Sequence, residues 1–123
     1  MWFAIIGLIF GIIFGILAPI SLPIEWARYS AVGIVAVIDS LLGAARADVG
    51  KKYNTTIFVS GLVTNMFLAA VITYIGDRLG IDLYLAVIVA FTIRIIQNIG
   101  VIRRGLLTKF TQKSSMNHLV SKK

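Results

Sequence analysis

The sequence contains no cysteine, one histidine, two prolines and only five acidic residues. The absence of cysteine excludes disulfides, thiolate metal sites and cysteine nucleophiles. Charged residues make up 14% of the chain, against about 25% in soluble domains. The low charge argues against a soluble domain, and the absence of cysteine excludes catalytic and metal sites that depend on a thiolate.

Hydrophobic sequence is abundant by contrast: 59% of the residues are hydrophobic and the mean hydropathy is +0.94. Soluble domains are only about 45–50% apolar. Because a transmembrane helix needs roughly 20 residues, the chain has room for four such helices and for no separate catalytic domain. The sequence therefore predicts an all-α polytopic membrane protein with four transmembrane helices.

Prolines, glycines and polar residues separate the four apolar segments. Pro19 and Pro23 follow the first segment, Gly76 is a plausible helix stop, and Asp82 is a plausible start for the last helix. The first segment lacks the basic start and cleavage site of a signal peptide, so we expect it to be retained. We predict a transmembrane domain over residues 1–105, with spans at about 2–18, 27–47, 57–75 and 83–102, and a basic cytoplasmic tail over residues 106–123.

The basic residues predict the orientation in the membrane. With four spans, one side collects nine Lys and Arg residues, and the other collects only Arg28 and Arg78. The positive-inside rule therefore places both termini in the cytoplasm. Seven of these residues are expected to contact anionic lipid headgroups or a partner: Arg46, Lys51, Lys52, Arg103, Arg104, Lys109 and Lys113. A basic tail beside a span indicates topology and lipid contact, so no nucleic-acid partner is expected.

Shorter features mark the membrane boundaries. Trp26 and Tyr29 suit the interfacial aromatic belt. Leu106, Leu107 and Phe110, between basic residues, can form a short amphipathic helix along the interface.

Charged and amide side chains inside the predicted spans form a candidate polar layer: Asp39, Asn65, Arg94, Gln97 and Asn98. At ~1.5 Å per residue, Asp39 and Arg94 both lie roughly 17–18 Å from the outer boundary, and Asn65 lies roughly 15 Å from it. An ionised side chain at the bilayer centre costs ~2.5–3.5 kcal/mol, so such groups should face partners or water. We predict a buried Asp39–Arg94 pair bridged by Asn65.

Small residues share the helix faces with these polar groups. The predicted stripes are Ala86, Ala90, Arg94 and Asn98 in the fourth span, Gly61, Asn65, Ala69 and Thr73 in the third, and a ridge through Gly33, Ala36, Ser40, Gly43 and Ala47 in the second. Small-residue faces are those that pack against neighbouring helices in lipid. Three roles are open for the polar layer. It fixes the register of the helices, it binds a proton or cation during transport, or it joins subunits of an oligomer.

The first span carries Gly7, Gly11 and Gly15 at unbroken i+4 spacing. Such a groove allows close backbone approach of another helix. The partner is either a helix of the same chain or a second copy, and Ala36, Ser40 and Gly43 offer a similar packing face.

No pattern in the sequence points to catalysis or to a cofactor. The single histidine, His118, lies in the predicted tail. No metal-ligand cluster, phosphate-binding loop or nucleophile–base arrangement is apparent. We therefore expect a protein that is not an enzyme and that needs neither a metal nor a cofactor.

Four stretches, "DSLLGAARA", "FVSGLVTN", "RLGIDLYLA" and "RIIQNIGVIRRGLLTKF", together resemble the small basic protein (Sbp) family of Gram-positive bacteria. The likeness covers nearly the whole chain except the extreme tail, and the last stretch is its most specific part. Ala44 and Thr92 stand where the family pattern favours glycine. The positions that match the pattern are Asp39, Gly43, Arg46, Gly61, Asn65, Leu79, Gly80, Asp82, Leu83, Tyr84, Leu85, Arg94, Asn98, Arg103 and Arg104.

The resemblance implies a small multi-pass membrane protein whose genes commonly lie near those for cell division and envelope growth. Together with the helix-packing faces, it favours a non-enzymatic membrane protein that self-associates and scaffolds an envelope or division complex. Membrane-anchored envelope or division proteins are then the expected partners. The alternative is a small transporter or channel subunit that uses Asp39 as an intramembrane proton or cation site.

Overall fold

The computed structural model describes residues 2–123, which form four α-helices and no strand within that range. The helices are α1 (Trp2–Leu17), α2 (Ile24–Val49), α3 (Thr55–Leu79) and α4 (Leu83–Ser121). The prediction of an all-α chain with four helices is confirmed, and α1 ends before Pro19 as expected.

The helix ends follow from local sequence. Asn54 precedes α3 and its side chain accepts hydrogen bonds from the backbone N–H groups of Thr56 and Ile57 at 2.9 and 3.3 Å, which satisfies two donors that a helix start leaves free. At the other end of α3, Gly80 adopts a left-handed conformation with φ 68°, which glycine does without strain.

Gly76 does not end α3, contrary to the sequence-based expectation. It lies inside the helix and is buried, and a Cβ atom there would come within 2.7 Å of the Ile81 carbonyl oxygen and of Leu83 Cβ. Glycine is therefore needed where α4 starts against α3, and Gly76 marks a close contact between the two helices rather than the end of α3.

Helices α2, α3 and α4 pack on one another, with α2 in contact with both others. Val32 and Ala36 of α2, Ala69 of α3, and Val87 and Phe91 of α4 form a buried apolar cluster. This cluster lies toward the starts of α2 and α4. Asp39 of α2, Asn65 of α3 and Arg94 of α4 lie beyond this cluster, nearer to the α2–α3 turn.

Three of the helices, α2, α3 and α4, are long and apolar enough to cross a membrane. Helix α1 is more apolar than these three but has 16 residues, about 24 Å in length against a hydrocarbon core of about 30 Å. None of the residues Trp2–Leu17 is buried. The fold therefore consists of a packed three-helix unit with a short apolar helix at its side, and a crossing by α1 stays a prediction.

Helix α4 runs without a break through the predicted boundary between membrane domain and tail. Its 39 residues span about 58 Å, roughly twice the hydrocarbon thickness. No proline interrupts residues 103–121, and Thr108 and Thr111 donate to backbone carbonyls one turn earlier. Leu106, Leu107 and Phe110 thus lie on a continuation of α4 rather than on a separate interfacial helix.

Candidate functional site

Asp39 and Arg94 meet between α2 and α4, as the depth comparison predicted. Arg94 Nη2 lies 3.2 Å from Asp39 Oδ2. The Asp39 side chain is fully buried, whereas that of Arg94 is 53% exposed, and the Arg94 guanidinium also lies 5.9 Å from the centre of the Phe91 ring. Within residues 2–123, neither Asp39 oxygen takes part in a hydrogen bond of good geometry. The contact is therefore an ion pair by distance, with hydrogen-bonding capacity left over.

Asn65 and Ser40 surround this pair without bonding to it. Both line the same cavity as Asp39 and Arg94, yet no hydrogen bond joins Asn65 to either charged group. The Ser40 hydroxyl is buried and has no hydrogen-bond partner among the described residues. The predicted bridge through Asn65 is absent because a cavity separates the α3 side chain from the ion pair.

A second polar contact lies nearer the α2–α3 turn. Arg46 donates from Nη1 to Asn98 Oδ1 at 3.3 Å, and Asn98 is buried. Gly43 lies beside this amide, since a Cβ atom there would be in ordinary van der Waals contact with Asn98 Nδ2, at 3.9 Å. Gln97 points outward and is exposed. In place of one polar layer, the structure has two polar pairs at different depths: Asp39 with Arg94, and Arg46 with Asn98.

The predicted stripes are confirmed unequally. In α3, Ala69 and Thr73 are buried, and the Thr73 hydroxyl donates to the Ala69 carbonyl at 2.8 Å. In α4 the prediction was wrong for Ala86 and Ala90, which are exposed. The buried face of α4 instead passes through Val87, Phe91 and Asn98, because large apolar side chains rather than alanines fill the space beside α2.

The polar cavity has a volume of about 220 Å³ and lies between α2, α3 and α4. Asp39, Ser40, Asn65 and Arg94 stand at one end, and Lys52, Tyr53 and Asn54 of the α2–α3 turn stand at the other. Between the two ends the wall is formed by small or apolar residues: Gly43, Ala44, Ala47, Ile57, Phe58, Gly61 and Leu62. Small residues on facing helices therefore keep open a space that runs from mid-helix to the turn and has polar groups at both ends.

A charged cluster that sequence reasoning missed ties α2 to the end of α3 and to the α3–α4 turn. Arg28 Nη1 lies 3.2 Å from Asp77 Oδ1 and 3.2 Å from Asp82 Oδ1. The Arg28 guanidinium also lies 5.0 Å from the centre of the Tyr84 ring. Asp82 precedes α4 but makes no side-chain capping bond, since its carboxylate binds Arg28 instead. Opposite charges at the same predicted membrane boundary were the available signal.

The predicted packing residues divide into two groups. Ala36 and Ser40 are buried inside the chain, and Gly43 lies against Asn98. In α1, Cβ atoms added at Gly7, Gly11 and Gly15 would meet no atom within 4 Å. An apolar groove of about 850 Å³ separates Gly7 and Gly11 from α2 and α3. The glycine face of α1 is therefore unoccupied by the rest of residues 2–123.

The predicted basic residues gather at one end of the fold. A Cβ atom on Gly105 of α4 would lie 2.6 Å from Val49 at the end of α2. This contact brings Lys51 and Lys52 of the turn to the same end as Arg103 and Arg104. Lys109 and Lys113 follow on the exposed continuation of α4, and no group of three His, Asp or Glu able to hold a metal is found in residues 2–123.

Comparison with known proteins adds a family to this geometry. The family model described as a protein of unknown function, DUF1290, matches residues 22–107. The small basic protein of Bacillus subtilis (strain 168) is 43% identical over 111 residues, which cover 90% of this chain and 92% of that protein. An uncharacterized protein of Mycobacterium tuberculosis (strain ATCC 25618 / H37Rv) is 38% identical over 80 residues, covering 63% of this chain and 66% of that protein.

No solved structure matches the chain. The region matched by the family model contains the ion pair, the second polar contact and the charged cluster, since it runs from before α2 into the continuation of α4. The chain therefore belongs to the DUF1290 family, is a homologue of the small basic protein of Bacillus subtilis, and is a multi-pass membrane protein.

Proposed function

We propose that the protein is a non-enzymatic component of the cell membrane that self-associates through α1 and scaffolds an envelope or cell-division complex. The observation that carries this proposal is the unoccupied glycine face of α1. Gly7 and Gly11 line an apolar groove of about 850 Å³, and none of the residues Trp2–Leu17 is buried. A helix with such a face is built for close contact with another helix.

The occupant that fits the groove is α1 of a second copy. Helix α1 carries no charged residue from Trp2 to Leu17, and the groove wall is made of small and apolar residues of α1, α2 and α3 apart from Ser30. In lipid, helices associate through tight packing rather than through exclusion of water, so shape complementarity decides the partner. The same patch on both copies gives a closed, two-fold interface.

The polar contacts within the chain support a structural role. Asp39 with Arg94 and Arg46 with Asn98 each join α2 to α4, and Arg28 joins α2 to the α3–α4 turn. These contacts hold the three-helix unit in one arrangement, as a scaffold requires.

The basic end of the fold supports cytoplasmic termini and contact with anionic lipid. Lys51, Lys52, Arg103 and Arg104 lie at one end, and the continuation of α4 extends beyond them. Positive residues favour the cytoplasmic side, where the leaflet carries anionic lipids. From that side, α4 reaches about 28 Å past the membrane, far enough to meet a membrane-anchored envelope or division protein. The gene neighbourhood that the family resemblance implies favours partners of that kind.

The test is the particle size in nanodiscs, combined with cross-linking in the cysteine-free chain. Gly11→Cys should form a disulfide between two copies. Gly11→Ile should weaken the dimer by about tenfold or more, equivalent to ~1.4 kcal/mol. Phe10→Leu, on a residue that does not line the groove, is the matched control and should leave the particle size unchanged.

Two results would overturn the proposal. One is a wild-type particle that contains a single chain at every concentration tested. The other is a Gly11→Cys, Gly33→Cys double variant that cross-links only within one chain, because both residues line the groove and α1 would then close on its own α2.

A further inference from the structure

We propose that the polar cavity is a water-filled vestibule open at the α2–α3 turn, and that Asp39 at its inner end exchanges a proton with the solution on that side. The vestibule and the glycine face of α1 are separate features of the fold. Either one can be tested while the other fails.

The vestibule begins at the turn and ends at the ion pair. Lys52 and Asn54 lie at the mouth, and Asp39 and Arg94 lie at the inner end. Along α2, the eight residue steps from Asp39 to Ala47 span about 12 Å. Its volume of about 220 Å³ far exceeds the roughly 10–15 Å³ that admits one water molecule. A short chain of water molecules therefore fits between the turn and Asp39.

The inner end has polar atoms that need such water. Both Asp39 oxygens and the Ser40 hydroxyl are buried and have no hydrogen-bond partner within residues 2–123. Arg94 Nη2 stands 3.2 Å from Asp39 without hydrogen-bond geometry. Leaving a buried polar group without a partner costs more than a hydrogen bond to water would. Asp39 and Ser40 line the inner end of the cavity, so water admitted there by a small opening of the wall satisfies them.

Access is from one side. Beyond Asp39, toward the starts of α2 and α4, the buried cluster of Val32, Ala36, Ala69, Val87 and Phe91 fills the space between the helices. Thr73 lies in the same region with its hydroxyl already bonded to the Ala69 carbonyl. An apolar, close-packed region has no groups to carry a proton, so the proton reaches Asp39 from the turn and not through this cluster.

The proton step changes the charge of the pair. A hydronium ion in the vestibule gives its proton to an oxygen of Asp39 and remains as water. The carboxylate becomes a neutral carboxyl group, and the net charge of Asp39 and Arg94 rises from zero to plus one. Arg94 then loses its ionic partner in α2 and keeps its contact with the Phe91 ring. Protonation thus releases one of the links between α2 and α4.

The charged and titratable groups around Asp39 favour this assignment of roles. Helix α4 presents Arg94 to the cavity and the turn presents Lys52 and Tyr53, whereas α3 presents no charged or titratable side chain, with Asn65 as its one polar residue there. Arg46 lies two turns along α2 and is held by Asn98. Asp39 is the one carboxylate that lines the cavity among the described residues. Lys52 at the mouth opposes entry of a metal cation, whereas a proton can be passed along water.

Accessibility can be measured because the chain contains no cysteine. Single variants Gly61→Cys and Ser40→Cys place a thiol in the vestibule wall. Val63→Cys and Ile38→Cys place one two residues away, outside the polar cavity. Lys51→Cys, in the exposed turn, identifies the side on which the turn lies. The probe is the charged, membrane-impermeant sulfonatoethyl methanethiosulfonate, added to sealed vesicles of either orientation.

The vestibule thiols should react from the same side as Lys51→Cys and about tenfold or more faster than their controls, because the reagent attacks a hydrated thiolate. Equal rates within each matched pair would overturn the vestibule. Reaction from the opposite side would overturn the direction of access.

Infrared difference spectra test the proton itself. In wild-type protein in nanodiscs, lowering the pH should produce a carbonyl band of a protonated carboxyl group that Asp39→Asn lacks and that Asp77→Asn retains. Asp39→Glu, which keeps an acid, should restore the band if Asp39→Asn perturbs folding. A band that sodium or potassium suppresses at fixed pH would show a metal cation site instead, and a spectrum unchanged by Asp39→Asn would refute the proton site.

Discussion

Replacing Arg94 with glutamine should destabilise the protein more than replacing Asp39 with asparagine. The reason is the unequal burial of the pair: the Asp39 side chain is fully buried, and the Arg94 side chain is 53% exposed. Arg94→Gln leaves a buried carboxylate without its cation, whereas Asp39→Asn leaves a guanidinium that lines the cavity and that water there can solvate.

The magnitudes follow from that asymmetry. Breaking a buried pair by removing one partner costs ~3–5 kcal/mol, and the half-exposed Arg94 places Arg94→Gln at the lower end, about 3 kcal/mol. For Asp39→Asn we expect about 1–2 kcal/mol, nearer to the value of a charged hydrogen bond. The double variant should fall short of the sum by about 1–3 kcal/mol, since the two groups are in contact.

The assay is reversible unfolding in mixed micelles, followed by circular dichroism as the fraction of denaturing detergent rises. Gln97→Ala is the matched control, because Gln97 lies on the same helix, is exposed and makes no hydrogen bond within residues 2–123. It should change the free energy of unfolding by less than ~0.5 kcal/mol. Additive losses in the double variant, or equal losses in the two single variants, would refute the reasoning.

Three further predictions use the same unfolding assay. Gly76→Ala should lower the free energy of unfolding by about 1–3 kcal/mol, because its Cβ would meet the Ile81 carbonyl oxygen at 2.7 Å. Gly100→Ala, whose Cβ would meet no atom within 4 Å, is the control and should be neutral or slightly stabilising. Equal effects of the two substitutions would contradict the close approach of the α3–α4 turn to Gly76. Asn54→Ala should cost ~0.5–2 kcal/mol by removing the cap of α3, whereas Asn54→Ser should recover most of the loss. Arg28→Gln should cost under ~1 kcal/mol because its ion pairs are exposed, and the difference from wild type should shrink at high salt; a salt-independent loss would point to the Tyr84 contact instead.

Much of the fold follows from local sequence. Apolar runs of helical length give the helices, Pro19 ends the first run, and Asn54 and Gly80 mark the ends of α3. Depth along the helices was enough to pair Asp39 with Arg94, because a charge in the bilayer must lie level with its partner. The depth of a residue along its helix can therefore be predicted from the sequence.

The rotation of each helix about its axis, which decides the face it buries, was predicted less well. Arg46 pairs with Asn98, and Asn65 bonds to neither charged group, because the cavity between α2 and α3 keeps its amide away. The stripe through Ala86 and Ala90 faces outward because Val87 and Phe91 fill the space beside α2. In lipid both small and large apolar residues are tolerated on either face, so composition alone does not identify the buried one.

The sequence by itself determined that the chain is a bundle of apolar helices with one charge pair at matched depth and a basic end. These properties depend on segment length, helix rise and the cost of charge in lipid, which are local quantities. Only the tertiary structure decided that α1 keeps its glycine face free, that a cavity reaches Asp39 from the turn, and that Arg28 holds two carboxylates. Those features depend on how far apart the helices pack and how each is rotated, and many side chains on several helices fix these quantities together.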